Sequence, residues 1–393
     1  MNKIVRQQYE TFPYPAEVND LDEYLKTSIP LSDHGKFWEK IFPEKKRKPL
    51  NVLVAGCGTF EAALRAYLNP ESIYFGIDIS AKSIQANRKL IKKHNIKNLV
   101  LVRADFVGID KTWKTSKFDL IHCNGVIHHL KNPSDALKTL KNLLNLGGAI
   151  NLMVYGSKQL HALNEVKKVF KKFKLKQDKD SIYSAEALLH CLSSEHPAKR
   201  YFAKSSEMSL AEKVDLLLHS QEQFFDVKDI LDLLKQNGLY IKNFITPNIN
   251  RYSEELLRMD QFKKLSIEEQ LEIGQILNWN DDQIEMILCT NKKHSLVYNK
   301  NYDSYYVHAK GSAIEIDDTL HTVSFINENV KYKKLDFVFK VLNKDVFLAY
   351  FTGRITGREF YEMLTEQQVS QIKAFVSKLY EHGYVDFSKH KER

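Results

Sequence analysis

The sequence is poor in the features that mark exported, membrane-spanning or zinc-binding proteins. Its four cysteines lie far apart, with neither zinc spacing nor a disulfide framework; they are Cys57, Cys123, Cys191 and Cys289. No apolar run approaches the roughly 20 residues that a bilayer span needs, and the first residues, MNKIVRQQYETFPYP, lack the apolar stretch of a signal peptide. We therefore expect a cytoplasmic protein with no metal site and no membrane insertion.

The composition is that of a globular protein with more than one domain. Of its 393 residues, 43% are hydrophobic and 27% are charged, and the length exceeds that of one ordinary core. The net charge of +9 comes largely from lysine and is partly concentrated between Glu165 and Lys179. On a helix, these lysines form either a solvated face or a surface that attracts an acidic protein or a nucleic acid. Composition leaves open whether the protein forms oligomers.

The segment from Asn51 to Asp105 carries the strongest functional signal. The stretch NVLVAGCGTF reads as an apolar strand followed by Gly56 and Gly58, which let the backbone turn sharply beneath a ligand. Asp78 follows Gly58 by 20 positions (78 − 58) and ends the next strand, where a carboxylate accepts hydrogen bonds from both ribose hydroxyls. Asp105 ends a third strand and suits the exocyclic amine of adenine. The pattern predicts an adenosine cofactor.

Apolar strands alternate with amphipathic helices in the first 155 residues, which predicts a parallel sheet covered on both faces. The predicted strands are 51–55, 73–77, 99–103, 118–123 and 149–155. Thr59 and Ser80 are expected to cap the helices after the first two strands. Asn132, followed by a proline, is expected to start a further helix that Gly147 and Gly148 end.

The pattern changes after Gly156 and again after residue 302. A helical region is predicted from about Lys158 to Leu218, then a helix from Asp226 and the strand LYIKNFIT. A helical segment from about Tyr252 to Leu288 precedes the strand-like HSLVYN. The strands LYIKNFIT and HSLVYN are expected to complete the first sheet. In the last part, two capping boxes and the strand-like YVDF resemble a winged helix; the boxes pair Thr356 with Glu359 and Thr365 with Gln368.

The motifs follow one another in the order VLVAGCGT, GIDIS, RADF and FDLIHCNGVIHHL. This ordered set resembles the class I S-adenosylmethionine-dependent methyltransferases; a Rossmann-fold dehydrogenase is the alternative. The resemblance implies an α/β fold with a Rossmann-like doubly wound sheet and S-adenosyl-L-methionine as cofactor. The cofactor-binding residues that it implies are Ala55, Gly56, Gly58, Asp78, Ile79, Asp105, Phe106 and Asn124.

One position departs from the family pattern, because Phe60 stands where the first motif has its third glycine. Either the ring points away into helix packing, or it alters access of the cofactor. The second alternative would support a different class of protein, a non-catalytic interaction protein that keeps the fold.

Two segments supply candidate catalytic residues. His128 and His129 suit deprotonation of a nucleophile, since an imidazole titrates near neutral pH; alternatively this segment positions the cofactor and packs against the next helix. The segment YETFPYP resembles a lid found in one branch of the family. Its Tyr14 is expected to close over the sulfonium of the cofactor, with a hydrophobic clasp as the alternative. The candidate catalytic residues are thus Tyr14 and His129.

Later segments resemble the rickettsial-type bacterial protein-lysine methyltransferases; they are VDLLLHS with His219, FITPNINRY and KHSLVYN. The resemblance implies a lid segment at 1–48, a cofactor-binding core at 49–156, a helical insertion with the last strands at 157–300, and a winged-helix-like domain at 303–393. The leading hypothesis is methyl transfer to a macromolecule, above all to protein lysines. RNA and small-molecule acceptors stay open, although the Asn-Pro-Pro-Tyr pattern that grips planar amines of bases does not occur.

Overall fold

The chain divides into two compact units, Met1–Ser28 with Pro49–Ser295 and Ile29–Lys48 with Leu296–Arg393. The computed structural model describes residues 3–27, 41–42, 48–206, 208–244, 256, 259–277 and 283–291. It further describes 306–309, 313–317, 322–326, 334–338, 344–365, 385–388 and a few positions between 368 and 379.

The first unit is built on a seven-stranded sheet in the order β3-β2-β1-β4-β5-β7-β6. Strands β1 to β5 run parallel, and β7 lies antiparallel between β5 and β6. The strands are β1 Asn51–Ala55, β2 Ile73–Asp78, β3 Leu99–Arg103, β4 Phe118–Asn124, β5 Leu144–Tyr155, β6 Tyr240–Phe244 and β7 Gln283–Cys289. The strand order reverses between β1 and β4, and a doubly wound sheet binds its ligand beyond the carboxyl ends of the strands at that point.

In this unit, helices precede the sheet, connect its parallel strands and follow β5. Two precede the sheet, Lys3–Thr11 and Leu21–Thr27, and three lie between its parallel strands, Glu61–Leu68, Ala81–His94 and Pro133–Leu143. The helices after β5 are Ser157–Lys172, Lys179–His190, Arg200–Ser206, Leu210–Leu218, Val227–Gln236, Asp260–Lys263 and Ile267–Leu277. In the part of the chain that the structure describes, no helix is long and apolar enough to cross a membrane.

The helix caps confirm two predictions and correct two others. Ser80 accepts a hydrogen bond from Ser83 N at 3.2 Å, and Asn132 accepts one from Ser134 N at 3.2 Å. The cap predicted at Thr59 is wrong: its hydroxyl donates to Pro15 O at 2.8 Å, and the helix begins after Phe60 without a side-chain cap. The Thr59 hydroxyl therefore binds the lid segment instead of the first turn of the helix.

The end predicted for the third sheet helix at Gly147 and Gly148 is also wrong. That helix ends at Leu143, and both glycines lie within β5. A Cβ on Gly148 would meet Asp119 O at 2.9 Å, so the glycine permits close approach of β5 to β4 rather than ending a helix.

The region after β5 is helical, as the sequence predicted, and it contains a hydrophobic cluster. Its helices bury a cluster that includes Leu163, Phe170, Ile182, Leu189 and Tyr201. Tyr155, at the end of β5, packs against this cluster, so the insertion is joined to the sheet by apolar contact.

The last strand of the sheet lies earlier in the sequence than predicted. The structure places β7 at Gln283–Cys289, so the helix predicted to run to Leu288 is wrong at its end. The run IEMILC contains Glu285 among apolar residues, and a short apolar run of this kind does not distinguish a buried strand from a buried helix. The predicted strand HSLVYN lies outside the described residues.

The second unit contains two small antiparallel sheets, in the orders β11-β10-β9 and β12-β8-β13. Their strands are β8 Tyr306–Ala309, β9 Ala313–Asp317, β10 Thr322–Ile326, β11 Lys334–Val338, β12 Thr352–Thr356 and β13 Val385–Ser388, with helices Lys344–Phe351 and Gly357–Tyr361. Both predicted capping boxes form: Thr356 with Glu359 and Thr365 with Gln368. The winged-helix assignment stays a prediction.

Candidate active site

A cavity of about 270 Å³ opens at the carboxyl ends of the parallel strands. The cavity is lined by residues that follow β1 and β3 and by residues that end β2, β4 and β5. The N-terminal helix and the lid segment also contribute to it. The residues most relevant to function are Val5, Tyr9, Tyr14, Gly56, Gly58, Glu61, Asp78, Ile79, Asp105, Phe106, Asn124, His129 and Tyr155. All predicted site residues except Ala55 and His128 line the cavity; Ala55 is buried within β1, and His128 is buried in the segment after β4.

The two glycines after β1 form a turn that no other residue fits. Gly56 has φ +74°, and a Cβ there would lie 2.5 Å from Val126 Cγ2. Gly58 has φ +54°, and a Cβ there would lie 2.9 Å from Pro15 Cδ and 3.0 Å from Tyr14 O. Both backbone angles are strained for residues with a side chain. The lid segment therefore packs directly on the glycine turn.

Asp78 joins this turn to the start of the next helix. Its Oδ2 accepts a hydrogen bond from Gly58 N at 2.9 Å, and its Oδ1 accepts one from Ser80 N at 2.8 Å. Burial raises the pKa of Asp78 to about 6, and the hydrogen bonds from Ser80 and Gly58 oppose that rise. A carboxylate offers about four lone-pair positions, so Asp78 keeps capacity for the two hydroxyls of a ribose.

Two polar side chains at the neighbouring strand ends suit the other parts of an adenosine cofactor. Asp105 Oδ1 accepts a hydrogen bond from Val107 N at 3.1 Å. Asn124 Oδ1 is buried and has no hydrogen-bond donor within the described part of the chain. A buried acceptor without a donor costs free energy, and the amino group of a methionine moiety would satisfy it. The glycine turn, Asp78 and Asn124 thus fit S-adenosylmethionine.

Phe60 points away from this cavity. Its ring lies against Tyr24, with 5.0 Å between the ring centroids, and it is not among the lining residues. The ring fills space between two helices, so of the two alternatives left open by the sequence, the structure supports packing.

A buried polar cluster lies beside the cavity, around Asp215. The Tyr9 hydroxyl donates to Asp215 Oδ1 at 3.0 Å and lies 3.1 Å from His219 Nε2. Gln221 N donates to His219 Nδ1 at 3.0 Å, so Nε2 carries the proton of the neutral ring and donates to the Tyr9 oxygen. His129 Nδ1 lies 3.1 Å from Gln221 O, so Nδ1 is protonated and Nε2 keeps a lone pair.

Burial sets the charges of this cluster. It lowers the pKa of His129 to about 3 and that of His219 to about 2, so both rings are neutral at pH 7. Burial, with repulsion from Glu222, raises the pKa of Asp215 to about 7, while the hydrogen bond from Tyr9 and the charge of Lys167 oppose the rise. Asp215 is therefore the group of the cluster that changes charge near neutral pH.

Two further tyrosines connect the cavity to Asp215. Hydrogen bonding with Tyr155 lowers the pKa of Asp215 and also lowers the pKa of Tyr14. Tyr9, Tyr14 and Tyr155 all line the cavity. Burial is the largest cause that raises the pKa of Tyr9 and of Tyr14, so both hydroxyls keep their protons at pH 7.

One group of these residues resembles a metal-binding set that the sequence did not predict. Atoms of His129, Asp215 and His219 lie within 4.8 Å of one another, and imidazole with carboxylate is a donor set that zinc accepts. However, the Tyr9 hydroxyl lies within hydrogen-bond distance of both Asp215 and His219. These contacts satisfy the polar groups, and we assign no metal to them.

Sequence reasoning missed the roles of Asp215, Tyr9 and Tyr155. Tyr9 and His219 lie within segments that resemble the family, but 206 positions separate Tyr9 from Asp215. No spacing rule connects residues so distant in the chain. An acid within the apolar helix segment VDLLLHS was the available signal, because an acid on an apolar helix face is costly unless it is paired.

Comparison with known proteins agrees with this site. Residues 46–238 match a family model described as a methyltransferase domain. An uncharacterized protein of Synechococcus sp. is 23% identical over 294 residues, which cover 68% of this chain and 66% of that protein. The tRNA U34 carboxymethyltransferase of Pasteurella multocida is 30% identical over 119 residues, which cover 29% of this chain and 36% of that protein. The chain thus spans about two thirds of the first relative and about one third of the second.

A solved structure shows the same fold over most of the chain. PKMT2 from Rickettsia typhi in complex with AdoHcy matches with a TM-score of 0.63 and 17% identity, over 91% of this chain and 76% of that one. The fold and the cavity define an adenosine-cofactor enzyme domain of the doubly wound class. Residues 46–238 thus match a methyltransferase domain, and the fold is that of the class I S-adenosylmethionine-dependent methyltransferases. The match favours a methyltransferase over the dehydrogenase alternative, and the cavity fits S-adenosyl-L-methionine as the cofactor.

Proposed function

We propose that the protein transfers the methyl group of S-adenosylmethionine to lysine side chains of a protein. The observation that carries this proposal is the lining of the cavity. Beyond the residues assigned to adenosine, its lining includes the aromatic side chains of Tyr9, Tyr14, Tyr155 and His129, and no lysine or arginine occurs among its described lining residues. An amine is attracted to aromatic faces and hydroxyl oxygens, whereas a carboxylate or phosphate acceptor finds no cation there.

The residues of the chain provide binding and orientation. The glycine turn and Asp78 would hold the methionine and ribose parts, Asp105 and the Phe106 backbone the adenine, and Asn124 the amino group. The bound cofactor supplies an electrophilic methyl group on a sulfonium. Methyl displacement needs little covalent help, and fixed orientation at about 3 Å with exclusion of water supplies most of the rate. Tyr14, in the lid segment, closes the cavity above the glycine turn.

The comparisons support a macromolecular acceptor of this kind. The shared fold with the rickettsial PKMT2 extends over 91% of this chain, well beyond the cofactor-binding core, and the sequence resembles the rickettsial-type protein-lysine methyltransferases in the same later segments. RNA is the second candidate, because the match to a tRNA-modifying enzyme covers 119 residues of the core. A non-catalytic role has lost its main support, since Phe60 packs against Tyr24.

Transfer from labelled cofactor to the contents of a cell lysate tests this proposal. We expect label in protein, removed by protease and not by ribonuclease, and mass spectrometry should find the added methyl groups on lysine. The Asp78→Ala variant is the matched control for cofactor-dependent transfer. Label that appears in RNA or in small molecules, with no methyl-lysine in protein, would refute the proposal.

A further inference from the structure

We propose that Asp215, acting through Tyr9 and Tyr155, binds the ammonium form of the acceptor amine and removes one proton from it. The inference rests on the proposed function, because it concerns the acceptor of that reaction. Tyr9 and Tyr155 line the cavity, whereas Asp215 is not among the lining residues and has 3% of its surface exposed. The tyrosines therefore form the contact surface, and Asp215 is the terminal proton acceptor.

Two tyrosine hydroxyls act on Asp215. The Tyr9 hydroxyl donates to Asp215 Oδ1 at 3.0 Å, and the hydrogen bond from Tyr155 lowers the pKa of the Asp215 carboxyl. A tyrosine hydroxyl that donates its one proton to a carboxylate still has oxygen lone pairs that accept hydrogen bonds from other donors. An ammonium group, which has three donors and no acceptor, matches such a surface.

The charges around Asp215 leave it as the proton acceptor. His129 and His219 are neutral at pH 7 because burial lowers the pKa of both rings. Lys167 and Glu222 form an ion pair at 2.5 Å, so their charges largely cancel. Burial raises the pKa of the Asp215 carboxyl to about 7, and it lowers the pKa of an amine brought into the same cavity. The two values therefore approach one another.

The resulting step conserves protons and electrons. The ammonium gives a proton to a tyrosine oxygen, and that tyrosine passes its own proton inward, so the carboxylate of Asp215 becomes a carboxylic acid. The amine nitrogen keeps the electron pair of the broken N–H bond. This pair forms the new bond to the methyl carbon as the carbon–sulfur bond breaks and its electrons remain on sulfur. The proton on Asp215 returns to solvent after product release.

The Asp215→Asn variant of the full-length protein tests this assignment through its pH profile. Asparagine keeps the size and a hydrogen-bond acceptor but does not take up the proton. We expect kcat/KM for lysine methylation in lysate protein to fall about 100-fold at pH 7, at the lower end of the effect of a positioned base. The rate should then recover roughly tenfold per pH unit as free amine accumulates below the pKa of lysine, about 10.4. Cofactor affinity by calorimetry should change less than about twofold.

Two controls separate chemistry from folding. Asp232→Asn changes an exposed acid on the helix Val227–Gln236 and should leave the wild-type pH profile unchanged. Tyr155→Phe keeps the ring that stacks on His128 at 4.0 Å but removes one hydroxyl of the relay. It should show the same pH-dependent loss at smaller size, so it serves if Asp215→Asn does not fold. Lysate protein with acetylated amines should accept no label from any variant.

The outcomes distinguish this inference from the proposed function. If the wild type methylates lysine and Asp215→Asn does so with the same rate and pH profile, the inference is wrong while the proposed function stands. A uniform loss at every pH in both Asp215→Asn and Tyr155→Phe, with intact folding, would also refute it and leave a positioning role. If the wild type labels no amine, the proposed function and the inference fail together.

Discussion

Replacing Gly58 by alanine tests how the glycine turn and the lid segment depend on one another. The new Cβ would lie 2.9 Å from Pro15 Cδ and 3.0 Å from Tyr14 O, whereas ordinary contacts begin near 3.4 Å. The lid must therefore move by about half an ångström or more, which follows from the difference between these distances and normal contact. Because the lid lines the cofactor cavity, we expect its displacement to weaken cofactor binding at least about tenfold, or about 1.4 kcal/mol.

Gly108 provides the matched control for this variant. It has φ +82°, and a Cβ there would meet nothing within 4 Å. A left-handed backbone costs a residue with a side chain roughly 1–2 kcal/mol, so Gly58→Ala and Gly108→Ala should both lower the unfolding temperature by a few degrees. Only Gly58→Ala should also weaken binding of S-adenosylmethionine in calorimetry.

The comparison of the two variants has one decisive result. If Gly58→Ala binds the cofactor as tightly as Gly108→Ala does, the contact between lid and glycine turn does not shape the cofactor site. The argument from the Cβ distances would then be wrong.

Three further predictions concern single side chains. Asp78→Ala should weaken cofactor binding by about 2 kcal/mol or more in calorimetry, because charge-assisted hydrogen bonds are lost; unchanged affinity would contradict the ribose assignment. The pKa values of His129, about 3, and His219, about 2, lie below the ordinary 6.5. Below about pH 6.5 the unfolded chain therefore takes up protons on these rings while the folded chain does not. The free energy of unfolding falls as the pH drops from there toward 3. His219→Asn should reduce this acid-dependent loss in denaturant titrations, and an equal slope would speak against the burial argument. Phe60→Ala should lower the free energy of unfolding by roughly 1–3 kcal/mol through lost packing against Tyr24 while leaving cofactor affinity unchanged; tighter cofactor binding would show that the ring restricts access.

The cofactor half of the fold is readable from the sequence because its signals are local. Each predicted strand from β1 to β4 begins at the predicted residue and ends within one residue of it. Gly56, Gly58 and Asp78 could be assigned because a turn with positive φ requires glycine and a strand end fixes the position of the acid. These constraints act within about 30 residues, and chain neighbours determine them.

The other half of the site depends on contacts that no local pattern contains. Asp215 lies on a helix of the insertion, and its partners Tyr9 and Tyr155 come from the N-terminal helix and from β5. The position of β7 was missed for a related reason, since Glu285 interrupts its apolar run and accepts a hydrogen bond from Asn151 on β5. Tertiary pairing stabilises that strand, and the pairing cannot be read from the segment itself.

The way in which the lid is fastened affects the kinetics of cofactor exchange. Hydrogen bonds from Ser80 to Tyr9 O, from Ala81 N to Glu10 and from Thr59 to Pro15 O fasten the N-terminal segment beside the sheet. Tyr9 also donates to Asp215 on the insertion, and movement of the lid away from the cavity breaks these bonds. We therefore expect slow lid opening to limit steady-state turnover and a faster first turnover in single-mixing experiments.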